Sequence, residues 1–111
     1  MRKLLILSGV LVMSPQTTSA STAEGKVYDV LAMQNGVVMF SLDSGARSGL
    51  PACATLTSRW EIYAASPAGQ AQLALLLTAF ASKTTIFVEG TGACSLWADT
   101  ESVNYFSTAA Q

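Results

Sequence analysis

The 111-residue sequence contains no histidine, and that absence removes more chemistry than any residue present supplies. Without an imidazole there is no Ser-His-Asp or Cys-His nucleophile system, and the usual zinc ligand sets lose their commonest member. Charge is also scarce, with six Lys and Arg against seven Asp and Glu. No basic face is available to neutralise phosphates, which excludes a nucleic-acid binder and disfavours an anionic membrane surface. No apolar run reaches the roughly 20 residues that a permanent membrane span requires. The chain holds only two cysteines and three prolines, and shows no repeat, linker or low-complexity tract. Gly90-Thr91-Gly92 lacks the rest of any phosphate or dinucleotide motif and is a turn signal, so no cofactor is expected.

What is present begins with a leader. Arg2 and Lys3 precede the apolar run Leu4 to Met13, Pro15 breaks it, and Thr18-Ser19-Ala20 supplies small residues. That layout predicts a secretory signal peptide over residues 1–20, cut after Ala20, with Ala23 as the alternative. No cysteine stands at the cut, which argues against a lipid anchor there. The mature chain, 21–111, is then one small domain of 91 residues in the periplasm or outside the cell. It carries four basic and seven acidic side chains. In an oxidising compartment Cys53 and Cys94 are expected to form a disulfide. Closing that 41-residue separation stabilises the fold by roughly 4 kcal/mol on the chain-entropy account.

Ser21 to Gly25 is small and polar and reads as a frayed start. Lys26–Gln34 and Val37–Leu42 carry β-forming residues around Asn35-Gly36, a pair suited to a tight type I′ hairpin. Asp43–Pro51 is loop. Ser58–Ala64 alternates, placing Trp60, Ile62 and Ala64 on a core face and Arg59, Glu61 and Tyr63 on the other. Ser66-Pro67 opens a helix whose Leu73, Leu76, Leu77 and Phe80 form one apolar stripe. From Ala68 to Ser82 there is no charge, so the helix's second face either meets a partner subunit or is merely exposed. Thr84–Glu89 and Ser102–Ser107 are the last two strands. Five strands with a helix between the third and fourth predict a mainly β (α+β) fold, an OB-like five-stranded barrel with one disulfide; a generic small α+β sandwich also fits.

The candidate site lies in loops. Trp97 sits in GACSLWADTES, where an aromatic ring beside carboxylates and hydroxyls suits a sugar; equally, the ring can fold back over the disulfide. In an OB-like fold the sheet face around strands 2 and 3 and the loop between strands 4 and 5 form the usual binding surface, which would gather Asp43, Ser44, Arg47, Trp97 and Asp99. The disulfide would draw Arg47 near, to pair with Asp99 or with an acid on a ligand. Asp99 and Glu101 make a poor acid/base pair, since in one strand they would crowd one face. Neither a metal site nor an enzyme is expected.

The segments PACATLTSRWEIY and IFVEGTGACSLWADTESVNYF resemble a group of small exported bacterial proteins of uncharacterised function. The similarity covers most of the mature chain; Arg59-Trp60, Gly90 to Cys94, and Trp97 through Phe106 are its most specific parts. In element order and cysteine use the chain is also similar to the receptor-binding B subunits of AB5 toxins, OB-folds that form pentameric rings and bind glycans. That likeness is architectural and carries over no site residue. Together these readings give an exported non-catalytic binding module for a glycan, with self-association as the partner-subunit case. A periplasmic protein-interaction or inhibitor module is the alternative, its partner an envelope protein.

Overall fold

The computed structural model describes residues 20–43 and 47–108. The signal-like segment up to Ser19, and Ser44, lie outside the described residues.

Alternating and β-branched stretches give six strands: β1 (Thr22–Gly25), β2 (Val27–Ala32), β3 (Val37–Leu42), β4 (Arg59–Tyr63), β5 (Ile86–Gly90) and β6 (Glu101–Ser107), with one helix, α1 (Pro67–Ser82), between β4 and β5. They form one sheet in the order β1-β5-β6-β4-β3-β2. Neighbours run antiparallel except β4 and β6, whose register places Trp60 opposite Glu101 and Glu61 opposite Ser102. Five strands and a barrel were expected. Six are found and the barrel is not closed: the two edges, β1 and β2, are separated in sequence by Lys26 alone, and no ladder joins them.

The added strand is β1, the segment expected to fray. Its composition is poor for a strand, but Ser21 is buried and each residue of β1 faces a partner on β5, from Thr22↔Glu89 to Gly25↔Ile86. Tertiary pairing thus overrides weak propensity. The Asn35-Gly36 hairpin forms, with a different turn. Gly36 adopts φ +92°, Asn35 stays negative, and Met33 N–H donates to Val37 O at 2.8 Å, so the loop has three residues, not two. Such loops place a single left-handed residue before the second strand, which glycine occupies without strain.

The core lies between the sheet and α1. Phe40, Trp60, Ile62, Leu76, Ile86 and Val88 are essentially inaccessible, and Phe40 meets Phe106 edge-on at 5.6 Å. Ser66 caps α1 by accepting Gly69 N–H at 2.9 Å, with Pro67 in the first turn. Gly69 then sets the helix's rotation. A Cβ there would stand 1.6 Å from the Tyr63 carbonyl oxygen, so the first turn presses directly on the end of β4. The buried line becomes Gly69, Leu76 and Ala79, with Leu73 and Leu75 partly covered. Leu77 and Phe80, expected inside, are 45% and 44% exposed. The apolar stripe and the buried line differ because leucine positions alone do not reveal a backbone contact made by glycine.

The expected disulfide is present, joining Cys53 to Cys94 with Cα atoms 6.2 Å apart. It ties the loop before β4 to the loop between β5 and β6. Among the described residues no helix is long and apolar enough to cross a membrane.

Candidate functional site

β4 was expected to be half-buried, with Glu61 on its wet face. In fact Glu61 is 0% exposed, because the loop 93–100, held by Cys94, closes over that face. Its Oε2 accepts Leu96 N–H at 2.8 Å and the Ser102 hydroxyl at 2.7 Å. Ser102 Oγ in turn accepts Ser95 N–H at 3.2 Å, which fixes its orientation. The other oxygen, Oε1, is buried and has no hydrogen-bond partner among the described residues. Burial raises the pKa of the Glu61 carboxyl above its ordinary value. The Ser102 hydroxyl, the Leu96 and Trp97 amides and the positive charge of Arg59 act in the opposite direction and do not cancel it.

An unpaired buried carboxylate oxygen costs free energy and calls for a reason. Glu61 provides one by lining a groove of about 320 Å³ between α1 and the β4–β6 pair. One wall is the first half of α1 (Ser66, Ala68, Gly69, Gln72), the other is Ser95 and Leu96, and the floor is Glu61 to Tyr63 with Ser102 to Asn104. Gln72 Nε2 donates to Asn104 O at 3.1 Å, tying α1 to β6 there. Tyr63 leaves 44% of its surface to solvent. Apolar patches from Ile62, Ala68, Leu96 and Val103 thus alternate with amides, hydroxyls and one carboxyl. Such a lining suits a small neutral ligand bearing both C–H faces and hydroxyls.

The sequence-based site residues are placed elsewhere. Asp43 is exposed and its Oδ1 accepts Lys26 N–H at 2.6 Å, a local turn contact. Arg47 turns inward: Nη2 pairs with Glu101 Oε1 at 2.9 Å, Nε donates to Ser21 Oγ at 3.0 Å, and Cζ lies 3.6 Å over the Trp60 ring. Burial lowers the pKa of this guanidinium, while Glu101's hydrogen bond and charge oppose the shift. Asp99 pairs with Arg59 at 3.0 Å, not with Arg47. Trp97 is half-buried, its carbonyl accepting Thr100 N–H at 3.2 Å, so it is neither a core residue nor a bare platform. No hydrogen bond or ion pair among the described residues joins Asp43 or Arg47 to Trp97 or Asp99, although Arg47 reaches the Arg59 carbonyl at 3.1 Å. Glu101, the other acid of the pair weighed above, is fully buried in its ion pair with Arg47.

Sequence reasoning therefore missed Glu61. The available signal was its register position opposite Ser102, which becomes visible only once the parallel β4–β6 pairing is known. Among the described residues no group of three or more acids or cysteines is placed to hold a metal ion. Comparison with known protein families, with curated proteins and with solved structures returns no match, and nothing links the chain to toxin B subunits.

Proposed function

We propose that this protein is an exported, non-catalytic binding module that recognises a glycan in the groove above Glu61. The observation that carries the reading is Glu61 itself, a residue that lines a groove of mixed polarity while its buried Oε1 has no hydrogen-bond partner among the described residues. Ionised, that oxygen accepts from a sugar hydroxyl; protonated, it donates to one. Tyr63 supplies an aromatic face for the sugar's C–H surface. Trp97, half-buried and next in sequence to Leu96, is not one of the groove's lining residues.

Several features support an OB-like reading of the fold. β4 and β6 are parallel, the helix intervenes before β5, and β1 and β2 read as one strand interrupted at Lys26. Export is supported by the leader pattern and by the disulfide, a bond that persists in oxidising compartments. Self-association is supported by Leu77 and Phe80, which an uncharged helix presents to solvent.

The test is titration of the 15N-labelled protein with a panel of neutral and acidic oligosaccharides. Binding should shift the amides of Tyr63, Gln72, Leu96 and Asn104, and Glu61→Ala should weaken it at least tenfold. Saturable shifts confined to the 43–47 loop, or none with any member of the panel, would contradict the proposal.

A further inference from the structure

We propose that the mature chain begins at Ser21 and that Glu101 receives its α-ammonium group, while Arg47 donates to the Ser21 hydroxyl. The proposal rests on export but not on what the groove binds.

Ser21 is fully buried, though it precedes a strand of small residues. Four contacts hold it. Its nitrogen lies 3.2 Å from Glu101 Oε2, its hydroxyl donates to Glu101 Oε1, Arg47 Nε donates to that hydroxyl, and its carbonyl accepts Gly90 N–H at 2.8 Å. Glu101 is itself inaccessible and also accepts Gly92 N–H at 2.8 Å. Gly90 leaves the space: a Cβ there would fall 1.9 Å from Glu101 Oε2. Ala20, immediately before, is already half-exposed. The first buried residue among those described is thus the one that follows the small-residue pattern Thr18-Ser19-Ala20. A cut after Ala23 would instead delete Ser21 and half of β1.

Hydrolysis of the Ala20–Ser21 bond breaks the amide C–N bond and consumes one water. Ala20 leaves as a carboxylate and the Ser21 nitrogen takes up protons to become an ammonium. An exporting peptidase must do this before folding, since Ser21 is inaccessible afterwards. The cut replaces one neutral N–H at Glu101 with a charged donor, the stronger kind of hydrogen bond. The charged groups on the elements packed around Ser21 are Glu24 on β1, Glu89 on β5, Glu101 on β6, Arg59 on β4 and Arg47 in the preceding loop. Glu24 and Glu89 alternate with the buried positions of their strands, so the charged side chains that reach Ser21 are Glu101 and Arg47.

The Glu101 carboxylate favours the ammonium while burial and the Arg47 charge oppose it, so the proposed contact shows itself as an α-amino pKa above the ordinary value of about 7.7–8.0. A raised folded-state pKa gives stability that is fully present below the ordinary value and is lost as pH rises through the folded one. Chains starting at Ala20, Ser21 and Thr22 can be released in vitro from a cleavable fusion, so that export is not a variable. The Ser21 chain should melt highest at pH 7, its lead over the Ala20 chain shrinking at alkaline pH. Its α-amino group, followed by 15N NMR, should titrate about one unit high, a tenfold change in proton affinity. Glu101→Gln should return that titration to the ordinary value. Should that variant not fold, the wild-type titration decides alone. An ordinary α-amino pKa in the Ser21 chain, or equal melting of the Ala20 and Ser21 chains at every pH, would overturn the proposal. So would an exported protein whose N-terminal residue is not Ser21.

Discussion

Glu101 and Glu61 lie on neighbouring strands, both completely buried, and their surroundings differ in kind. Glu101 has both oxygens occupied, by Arg47, by the Ser21 nitrogen and hydroxyl, and by the Gly92 amide. Glu61 has one oxygen occupied by Leu96 and Ser102, and the other by nothing among the described residues. A buried charge that is fully paired holds the chain together; a half-paired one leaves a polar atom whose cost calls for a reason. The end of the molecule around Glu101 is therefore fully paired, and the groove lined by Glu61 is the surface proposed above for binding.

The difference is sharpest if the Glu101 end is broken. Arg47→Met keeps much of the side chain's length over Trp60 but leaves a buried carboxylate without its cation. Removing one partner of a buried pair costs about 3–5 kcal/mol. Denaturant titration should show a loss of that order, and a loss below about 1 kcal/mol would remove the contrast, since the pair would then behave as an exposed one.

A smaller effect is expected from removing the disulfide. Cys53→Ala with Cys94→Ala should cost roughly 2–4 kcal/mol, from loop entropy alone. Its local consequence separates the two regions. Hydrogen exchange at the Leu96 amide, on the groove wall, should accelerate, while the Gly92 amide at Glu101 stays protected until global unfolding. Equal acceleration at both would mean that the two carboxylates are parts of one unit.

Local patterns carried much of this fold. Ser66-Pro67 started α1 where expected, Trp60 and Ile62 marked the core face of β4, and the two cysteines implied their bond. What local patterns could not carry were contacts made across the sheet. β1 exists because it pairs with β5 beside the anchored Ser21, not because its sequence favours a strand. Leu77 and Phe80 face outward because Gly69 fixes the helix's rotation from its other end. Arg47 resembled a loop residue free to meet a ligand, and Glu61 a solvated one. The parallel β4–β6 pairing, which joins residues far apart in sequence, exchanged those two roles.

The most direct test of the Glu61 assignment compares thermal melts of the wild type and Glu61→Gln from pH 4 to 8. An ordinary glutamate titrates near pH 4.3, and burial raises Glu61 above its ordinary value. In the window between the unfolded and folded pKa values the folded state keeps a proton that the unfolded state has lost. Wild-type stability must then fall as pH rises through that window. The variant does not titrate there. The difference in Tm, wild type minus variant, should decline as pH rises above about 4 and level off once Glu61 is ionised in the folded protein. A difference that stays flat, or that grows with pH, would mean that the Glu61 carboxyl is as well satisfied as that of Glu101, and would contradict the account.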